Sequence, residues 1–226
     1  AAAYADDIVL HDGAPEGPPD ADELNDSAAS LKAQSAGGRD GWKPVELKLL
    51  PREAGNMRAK VLQLAYAIEE FPQEYKHVVI TAIPKKGDST DPLRQRLLTI
   101  FSAVYRVEAR AWYRRLSPWL LQTLHPDLHG GVAGHEAIEA AWDAQADIEN
   151  ALLSNGRIVF STYDYDKYFD SFDYDFTQEL LIAHGLPAPL VRMWIKMYKD
   201  LRKAIKVGKH VGEEFFEHNG CGQGDP

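Results

Sequence analysis

The sequence contains only one cysteine, Cys221, which excludes an internal disulfide and fits a reducing compartment. It has no apolar run long enough to span a membrane and no signal-peptide pattern at its start. Its hydrophobic content of 45% over 226 residues is enough to bury a core. We therefore expect an intracellular protein, cytoplasmic or nuclear, with no membrane partner. The missing initiator methionine leads us to expect a fragment.

The chain also lacks an excess of basic residues, since its formal net charge is −9. A basic domain is the usual mark of a simple nucleic-acid binder, so the total charge argues against that class. The charge is nevertheless uneven. Eight basic and three acidic residues lie in 85–115, and seven basic residues face one acid in 192–209. Each patch fits phosphate binding and a solvated helix face equally well.

Patterning predicts more helix than strand and an α+β class. Residues 11–22 are rich in proline, glycine and aspartate and indicate a linker. Apolar and β-branched runs predict strands at 77–84 and 156–166, and a hairpin with its turn at Gly208–Gly212 follows. Helical periodicity predicts helices over 23–34, 52–70, 100–124, 135–153, 174–184 and 188–202.

The densest group of carboxylates is "YDYDKYFDSFDYD", residues 163–175, at the end of the second predicted strand. Carboxylate oxygens suit hard divalent cations such as Mg²⁺. The spacing is a poor match to an EF-hand, because Phe169 replaces the required glycine. An Asp-x-Asp motif of a sugar-nucleotide transferase and a solvated acidic corner both remain open.

Further segments carry groups suited to nucleotide chemistry. "ITAIPKKGD" places Lys85 and Lys86 after a strand, where cations can meet a triphosphate. "RQRLLTIFSAVYR" sets Arg96 and Arg106 on either side of an apolar run. The chain ends in the glycine-rich "NGCGQGDP", whose flexible backbone could pass close to a base pair, and it begins with "AAAYADDIVL".

Together these segments resemble the fingers and palm of a reverse transcriptase of the non-long-terminal-repeat retrotransposon and group II intron types. "GGRDGW" is similar to the family's Gly-Pro-Asp-Gly turn, with Arg39 for proline, and "IPKKGD" to its fingers strand. Arg96 falls on the arginine of an Arg-Pro-Ile motif, and "HGGVAGHEAIEAAWDA" is similar to the Gly-Phe segment. "YDYDKYFDSF" resembles the first catalytic motif, "YADD" the second, and "GQGDP" the template-positioning motif.

The order of these motifs departs from the family, in which the Tyr-x-Asp-Asp turn follows the Gln-Gly motif. Here it precedes every other motif, so the resemblance implies a permuted or truncated polymerase with a small antiparallel sheet. We expect the YADD segment and linker over 1–22, fingers over 23–134 and palm over 135–226. Docking of Tyr4–Leu10 beside Asp164 is part of this expectation.

The resemblance implies a two-metal polymerase site for Mg²⁺, for which Mn²⁺ can substitute. Asp164 and Asp6 would hold the ions, with Asp7 nearby and the Tyr165 carbonyl contributing. The implied partners are an RNA template, a DNA primer and deoxynucleoside triphosphates. Phe169 matches the bulky gate that excludes a ribose 2′-hydroxyl. The implied nucleotide-binding residues are Lys85, Lys86, Arg96, Phe169, Gln223 and Gly224.

Two alternatives to an active reverse transcriptase stay open, namely an inactive polymerase-like module that binds nucleic acid and a permuted RNA-dependent RNA polymerase. The second basic patch predicts contacts to a nucleic-acid backbone, although an amphipathic helix over the palm would show similar spacing. Its residues are Arg192, Lys196, Lys199, Arg202, Lys203 and Lys206. We expect Cys221 to be a small packed residue. The scattered histidines His125, His129, His135 and His184 have no accompanying cysteine, so the sequence does not predict a zinc site.

Overall fold

The computed structural model describes residues 13–85, 95–132, 134–165 and 168–222, and its helices with a small sheet confirm the predicted α+β class. In the described residues, none of the helices combines the length and apolar character needed to cross a membrane. The helices are α1 (Ala21–Ser30), α2 (Pro44–Leu49), α3 (Glu53–Ile68), α4 (Ala103–Thr123), α5 (Ala137–Leu153), α6 (Tyr174–Ala183) and α7 (Ala188–Lys199).

Four strands form one mixed sheet in the order β2-β1-β3-β4. Both hairpins are antiparallel, whereas β1 and β3 pair in parallel, from His77 opposite Arg202 to Thr81 opposite Lys206. The expectation of an antiparallel sheet was therefore wrong at this central pair. A parallel pair needs a long crossover, which the helices between the two hairpins supply. The strands are β1 (His77–Pro84), β2 (Gln95–Ile100), β3 (Arg202–Val207) and β4 (His210–Phe215).

Most predicted helices are present within a few residues of their predicted ends. The largest difference is at the end of the predicted helix over 23–34, because α1 already ends at Ser30. Strand β2 was not predicted, and its last residue, Ile100, lies in the predicted helix over 100–124, whereas α4 begins at Ala103. Short apolar runs fit a strand and a helix equally well by periodicity, so the pairing of β2 with β1 decided between them. Helix α2 was not predicted. It starts with Pro44 in its first turn, where the absent N–H of proline costs nothing.

The predicted strand over 156–166 was wrong, since none of its described residues, 156–165, is in a strand. Strand formation needs a partner for the backbone ladder, and the described part of the chain supplies none here. The apolar side chains that suggested a strand are exposed to solvent, and Val159 is 90% exposed.

The described residues before α1, 13–20, contact the rest of their unit. Ala14 is buried, and the Arg115 guanidinium donates to the carbonyl of Pro18 at 2.9 Å. Asp20 begins α1 with a capping box, in which its carboxylate accepts from the Glu23 N–H and the Glu23 carboxylate accepts from the Asp20 N–H. The described residues of this segment thus include buried positions, and the interpretation of 11–22 as a linker stays a prediction.

Aromatic rings fill the core beside the sheet. Tyr105 of α4 contacts Phe71, Tyr75 and Phe101, with ring centroids 5.2–5.8 Å apart. Such pairs contribute about 0.5–1.5 kcal/mol each beyond the area they bury. They fix the turn before β1 and the end of β2 against the same helix.

The described residues divide into two compact units. One consists of 117–165, and the other consists of 13–116 with 168–222 and contains the whole sheet. The division into fingers and palm stays a prediction.

Candidate functional site

The turn that contains Phe169 is joined to the glycine-rich segment near the end of the chain by backbone hydrogen bonds. Residues Tyr168–Ser171 form a 3₁₀ turn. The Cys221 N–H donates to the Phe169 carbonyl at 2.7 Å, and the Gly220 N–H donates to the Phe172 carbonyl at 2.8 Å. The Tyr174 hydroxyl donates to the Gly220 carbonyl at 2.9 Å. The 3₁₀ turn and residues 220–221, which are far apart in sequence, are thus held side by side in one unit.

This contact requires glycine at two positions. Gly220 has a φ of 95°, and a Cβ there would lie 2.9 Å from Asp170 Cα. A Cβ on Gly222 would lie 2.9 Å from the Phe101 ring, just past the end of β2. The segment that leads into Gln223 and Gly224 therefore lies against Phe101. Gln223 and Gly224 themselves lie outside the described residues.

The β1–β2 hairpin places two predicted nucleotide ligands at one end. Ile83 pairs with Arg96, and directly opposed residues of an antiparallel pair share a face. Lys85 directly follows Pro84, the last residue of β1, at the same end of the hairpin. Both cations are exposed, and neither forms an ion pair with a described residue. Lys86 lies outside the described residues.

Asp164 and Tyr165 lie in the irregular segment that ends the other unit, and both are exposed. Asp164 makes no hydrogen bond or ion pair with another described residue. An ionised carboxylate suits Mg²⁺, which usually takes one or two such ligands. Asp6 and Asp7, the other predicted metal ligands, lie outside the described residues, so their docking beside Asp164 stays a prediction.

The predicted nucleic-acid contacts of α7 are engaged in internal ion pairs. Arg192 donates two hydrogen bonds to Glu69, and Lys196 contacts Glu70 at 2.5 Å. Hydrogen bonds from Lys196 and Lys76 lower the pKa of Glu70 to about 2. These pairs offset much of the positive charge that the sequence suggested for this helix.

The remaining basic residues of that patch differ in their surroundings. Lys199 contacts Asp175 at 2.6 Å, and Lys203, although 4% exposed, is paired with Glu217. Arg202 has its guanidinium over the Phe216 ring and lies 3.9 Å from a Glu214 carboxylate oxygen. Lys206 on β3 is exposed and forms no ion pair with a described residue. Arg202 and Lys206 are therefore the better placed of the six for an external phosphate.

Sequence reasoning missed the residues that anchor the "GGRDGW" turn. The Ser102 hydroxyl donates to Asp40 at 2.6 Å, and the Arg106 guanidinium donates to the Ala36 carbonyl. A Cβ on Gly38 would lie 2.5 Å from Ser102 Cα, so only glycine allows this approach. The signal available in the sequence was the paired glycines.

A mostly apolar cavity of about 200 Å³ lies beside the glycine-rich segment. Its lining includes Tyr105, Tyr174, Trp194 and Cys221. Cys221 is half-buried there, as expected of a packed residue. The indole N–H of Trp194 is buried and has no hydrogen-bond partner among the described residues.

Comparison with known proteins shows a similarity to the transposon TX1 uncharacterized 149 kDa protein of Xenopus laevis. The two sequences are 24% identical over 205 residues, which are 91% of this chain and 16% of the Xenopus protein. The chain therefore spans about one sixth of that relative's length. No family model matches the chain.

Proposed function

We propose that the chain is part of an RNA-directed DNA polymerase encoded by a mobile element. The observation that carries the proposal is the backbone pairing of Cys221 and Gly220 with the Phe169–Phe172 turn. It brings Gly220 and Cys221, which directly precede the segment that resembles the template-positioning motif of reverse transcriptases, next to part of the segment that resembles the first catalytic motif. The similarity to a transposon protein over most of the chain supports the mobile-element origin.

The hairpin and the Phe169 turn suit the binding of a deoxynucleoside triphosphate. Arg96 on β2 and Lys85, directly after β1, lie at the same end of the hairpin, where their positive charges would offset triphosphate charge. Phe169 is 46% exposed and so has a surface available to meet a sugar. Its ring would exclude a 2′-hydroxyl by contact, which favours deoxynucleotides.

Asp164 would bind Mg²⁺ together with Asp6, with Asp7 nearby and the Tyr165 carbonyl contributing. When bound, Mg²⁺ lowers the pKa of a primer 3′-hydroxyl and neutralises the triphosphate. The carboxylates of this chain hold and orient the cation, and the glycine-rich segment would support the template base through Gln223 and Gly224.

Primer extension tests this proposal directly. We expect the chain to extend a DNA primer on a homopolymer RNA template with Mg²⁺. Asp164→Asn should reduce the rate by at least about 100-fold, because the amide is a poorer cation ligand. The matched control Asp147→Asn removes an exposed carboxylate from α5 in the same unit and should leave the rate unchanged. Equal rates for both variants would contradict the proposal.

The same assay separates the alternatives. Binding of the primer–template in a gel-shift assay without any extension would support a nucleic-acid-binding module instead. If the chain is a reverse transcriptase, Phe169→Ala should begin to admit ribonucleotides. A permuted RNA-dependent RNA polymerase would incorporate ribonucleotides already as the wild type, and Phe169→Ala would not change that selectivity.

A further inference from the structure

Two imidazoles and a carboxylate converge where the loop after α4 meets the first turn of α5. The Nδ1 atoms of His129 and His135 are 3.2 Å apart. Glu139 Oε2 lies 3.4 Å from His129 Nδ1 and 3.7 Å from His135 Nδ1. Together with Asp143 we name these residues the histidine cluster. All four belong to the unit 117–165.

Local structure explains why the cluster forms. Glu139 is in the first turn of α5, and its carboxylate accepts from the Glu136 N–H at 2.9 Å, which fixes its rotamer. Gly131 and Gly134 have φ values of 76° and 88°, which let the loop turn back toward the helix. Asp143 lies one turn further along the same face of α5.

The separations fit ligands of one transition-metal ion. Two ligand atoms about 2.1 Å from a tetrahedral ion lie about 3.4 Å apart. The three observed separations, 3.2, 3.4 and 3.7 Å, bracket that distance. Two facing Nδ1 atoms can also share one proton, but a cation between them would satisfy both lone pairs and the carboxylate at once.

Asp143 is placed to orient the His129 imidazole, as carboxylates next to metal-binding histidines do. Its Oδ2 lies 3.2 Å from His129 Nε2. A carboxylate there favours the tautomer with its proton on Nε2, which leaves the Nδ1 lone pair free for a metal. The His129 side chain is only 14% exposed, so its ring is held in this orientation.

We propose that His129, His135 and Glu139 bind a divalent transition-metal ion, Zn²⁺ by preference, with Asp143 as a positioning residue. Two imidazoles and a carboxylate are an established zinc ligand set that leaves the fourth position to water. The sequence does not predict this site, because the fold and not the spacing brings His129 and His135 together. The ion would link the loop between α4 and α5 to the first turn of α5.

This site differs in chemistry from the proposed Mg²⁺ site. Imidazole nitrogen favours Zn²⁺ and Co²⁺, whereas Mg²⁺ prefers oxygen ligands. Millimolar Mg²⁺ would therefore leave the histidine cluster free while occupying the carboxylates around Asp164. Failure of primer extension would not affect this proposal, and failure of zinc binding would not affect the polymerase.

The test is calorimetric titration of the metal-free chain with Zn²⁺ in excess Mg²⁺, together with Co²⁺ absorption spectra. We expect one Zn²⁺ per chain and visible Co²⁺ bands of tetrahedral intensity. His129→Ala and His135→Ala should each weaken binding by at least about 100-fold, and Asp143→Asn by about 10–100-fold. The control His125→Ala changes a histidine of the same loop that contacts Asp127 instead, and its affinity should match the wild type.

A variant that keeps α5 folded distinguishes weaker metal binding from unfolding. Glutamine can replace glutamate in a capping box, so Glu139→Gln should retain α5 by circular dichroism while binding Zn²⁺ more weakly. Two results would overturn the proposal. One is the absence of Zn²⁺ binding to the wild type, and the other is equal affinity in folded His129→Ala, His135→Ala and Glu139→Gln variants.

Discussion

Glu108 is a carboxyl group buried in the aromatic core of the unit that contains the sheet. It is 2% exposed and accepts a hydrogen bond from the Tyr75 hydroxyl at 2.8 Å. Burial raises its pKa to about 7, although the Tyr75 hydrogen bond and the Arg58 charge act in the opposite direction. Burial also lowers the pKa of Arg58, two of whose nitrogens have no partner among the described residues. The neutral acid is thus the form that this site favours.

The pKa of Glu108 predicts that stability falls as pH rises. The folded state holds the proton up to about pH 7, whereas an unfolded carboxyl loses it near its ordinary value of 4.5. Between these values the folded state binds more protons, so raising the pH removes up to about 3 kcal/mol of this contribution. Below pH 4.5 the contribution is complete.

Urea denaturation of Glu108→Gln at pH 5 and pH 8 measures this contribution. Glutamine keeps an acceptor for Tyr75 and cannot ionise, so the stability lost between the two pH values should be smaller by about 2.5 kcal/mol. Any constant packing cost affects both pH values equally. The control Glu213→Gln, on exposed β4, should keep the wild-type difference. An unchanged difference in Glu108→Gln would show that Glu108 does not titrate in this range.

The turn over 36–41 shows how a loop is positioned by an element rather than by its own sequence. Its Gly38 lies against the backbone of Ser102, directly before α4, and Asp40 accepts from the Ser102 hydroxyl. The same hydroxyl accepts from the Val104 N–H at 3.1 Å. It therefore also provides an acceptor for the N–H groups at the start of α4, which have no partner within the helix. Turn and helix terminus therefore stabilise each other.

Gly38→Ala should destabilise the chain by about 1–3 kcal/mol. The added Cβ would lie 2.5 Å from the Ser102 backbone, and a shift of either backbone segment to relieve this clash costs free energy. The control is Gly212→Ala in β4, whose Cβ would meet nothing nearer than the Ile205 carbonyl at 3.5 Å. That variant should stay within about 0.5 kcal/mol of the wild type. Urea denaturation measures both. Equal stability of the two variants would contradict the close packing of the turn.

At the scale of the whole molecule, burial is distributed unequally between the two units. None of the residues of α5 is buried, and Trp142 and Leu153 are 67% and 87% exposed. By contrast, α7 buries six residues in the unit that contains the sheet. Helical stability in proteins comes mainly from such packing, so the two helices should differ in their local stability.

Amide hydrogen exchange followed by mass spectrometry should show this difference. Without metal, peptides from α5 should have protection factors at least about 100-fold below those from α7, because local opening of α5 exposes little new apolar surface. Helix α7 is the internal reference in the same sample. Protection of α5 equal to that of α7 would mean that its apolar side chains are covered in solution, for example by a second copy of the chain.

The sequence by itself determined the local elements with strong periodicity. Helices α3, α5, α6 and α7 and strand β1 follow from apolar spacing, because neighbouring residues decide those patterns. The motifs around Lys85, Arg96, Asp164 and Phe169 are local stretches of sequence too, and the site that they would form stays a prediction. Strand β2 and the irregular 156–165 were not, because a strand exists only if another strand pairs with it.

The tertiary structure alone decided the parallel pairing of β1 with β3, the backbone bonds between Cys221 and Phe169, and the meeting of His129 with Glu139. These contacts join residues whose separation in sequence carries no signal of their proximity. Their free energy depends on loop closure and on packing of the intervening helices, which are properties of the folded chain. The sequence therefore determines which chemical groups are present, and the fold determines which of them come into contact.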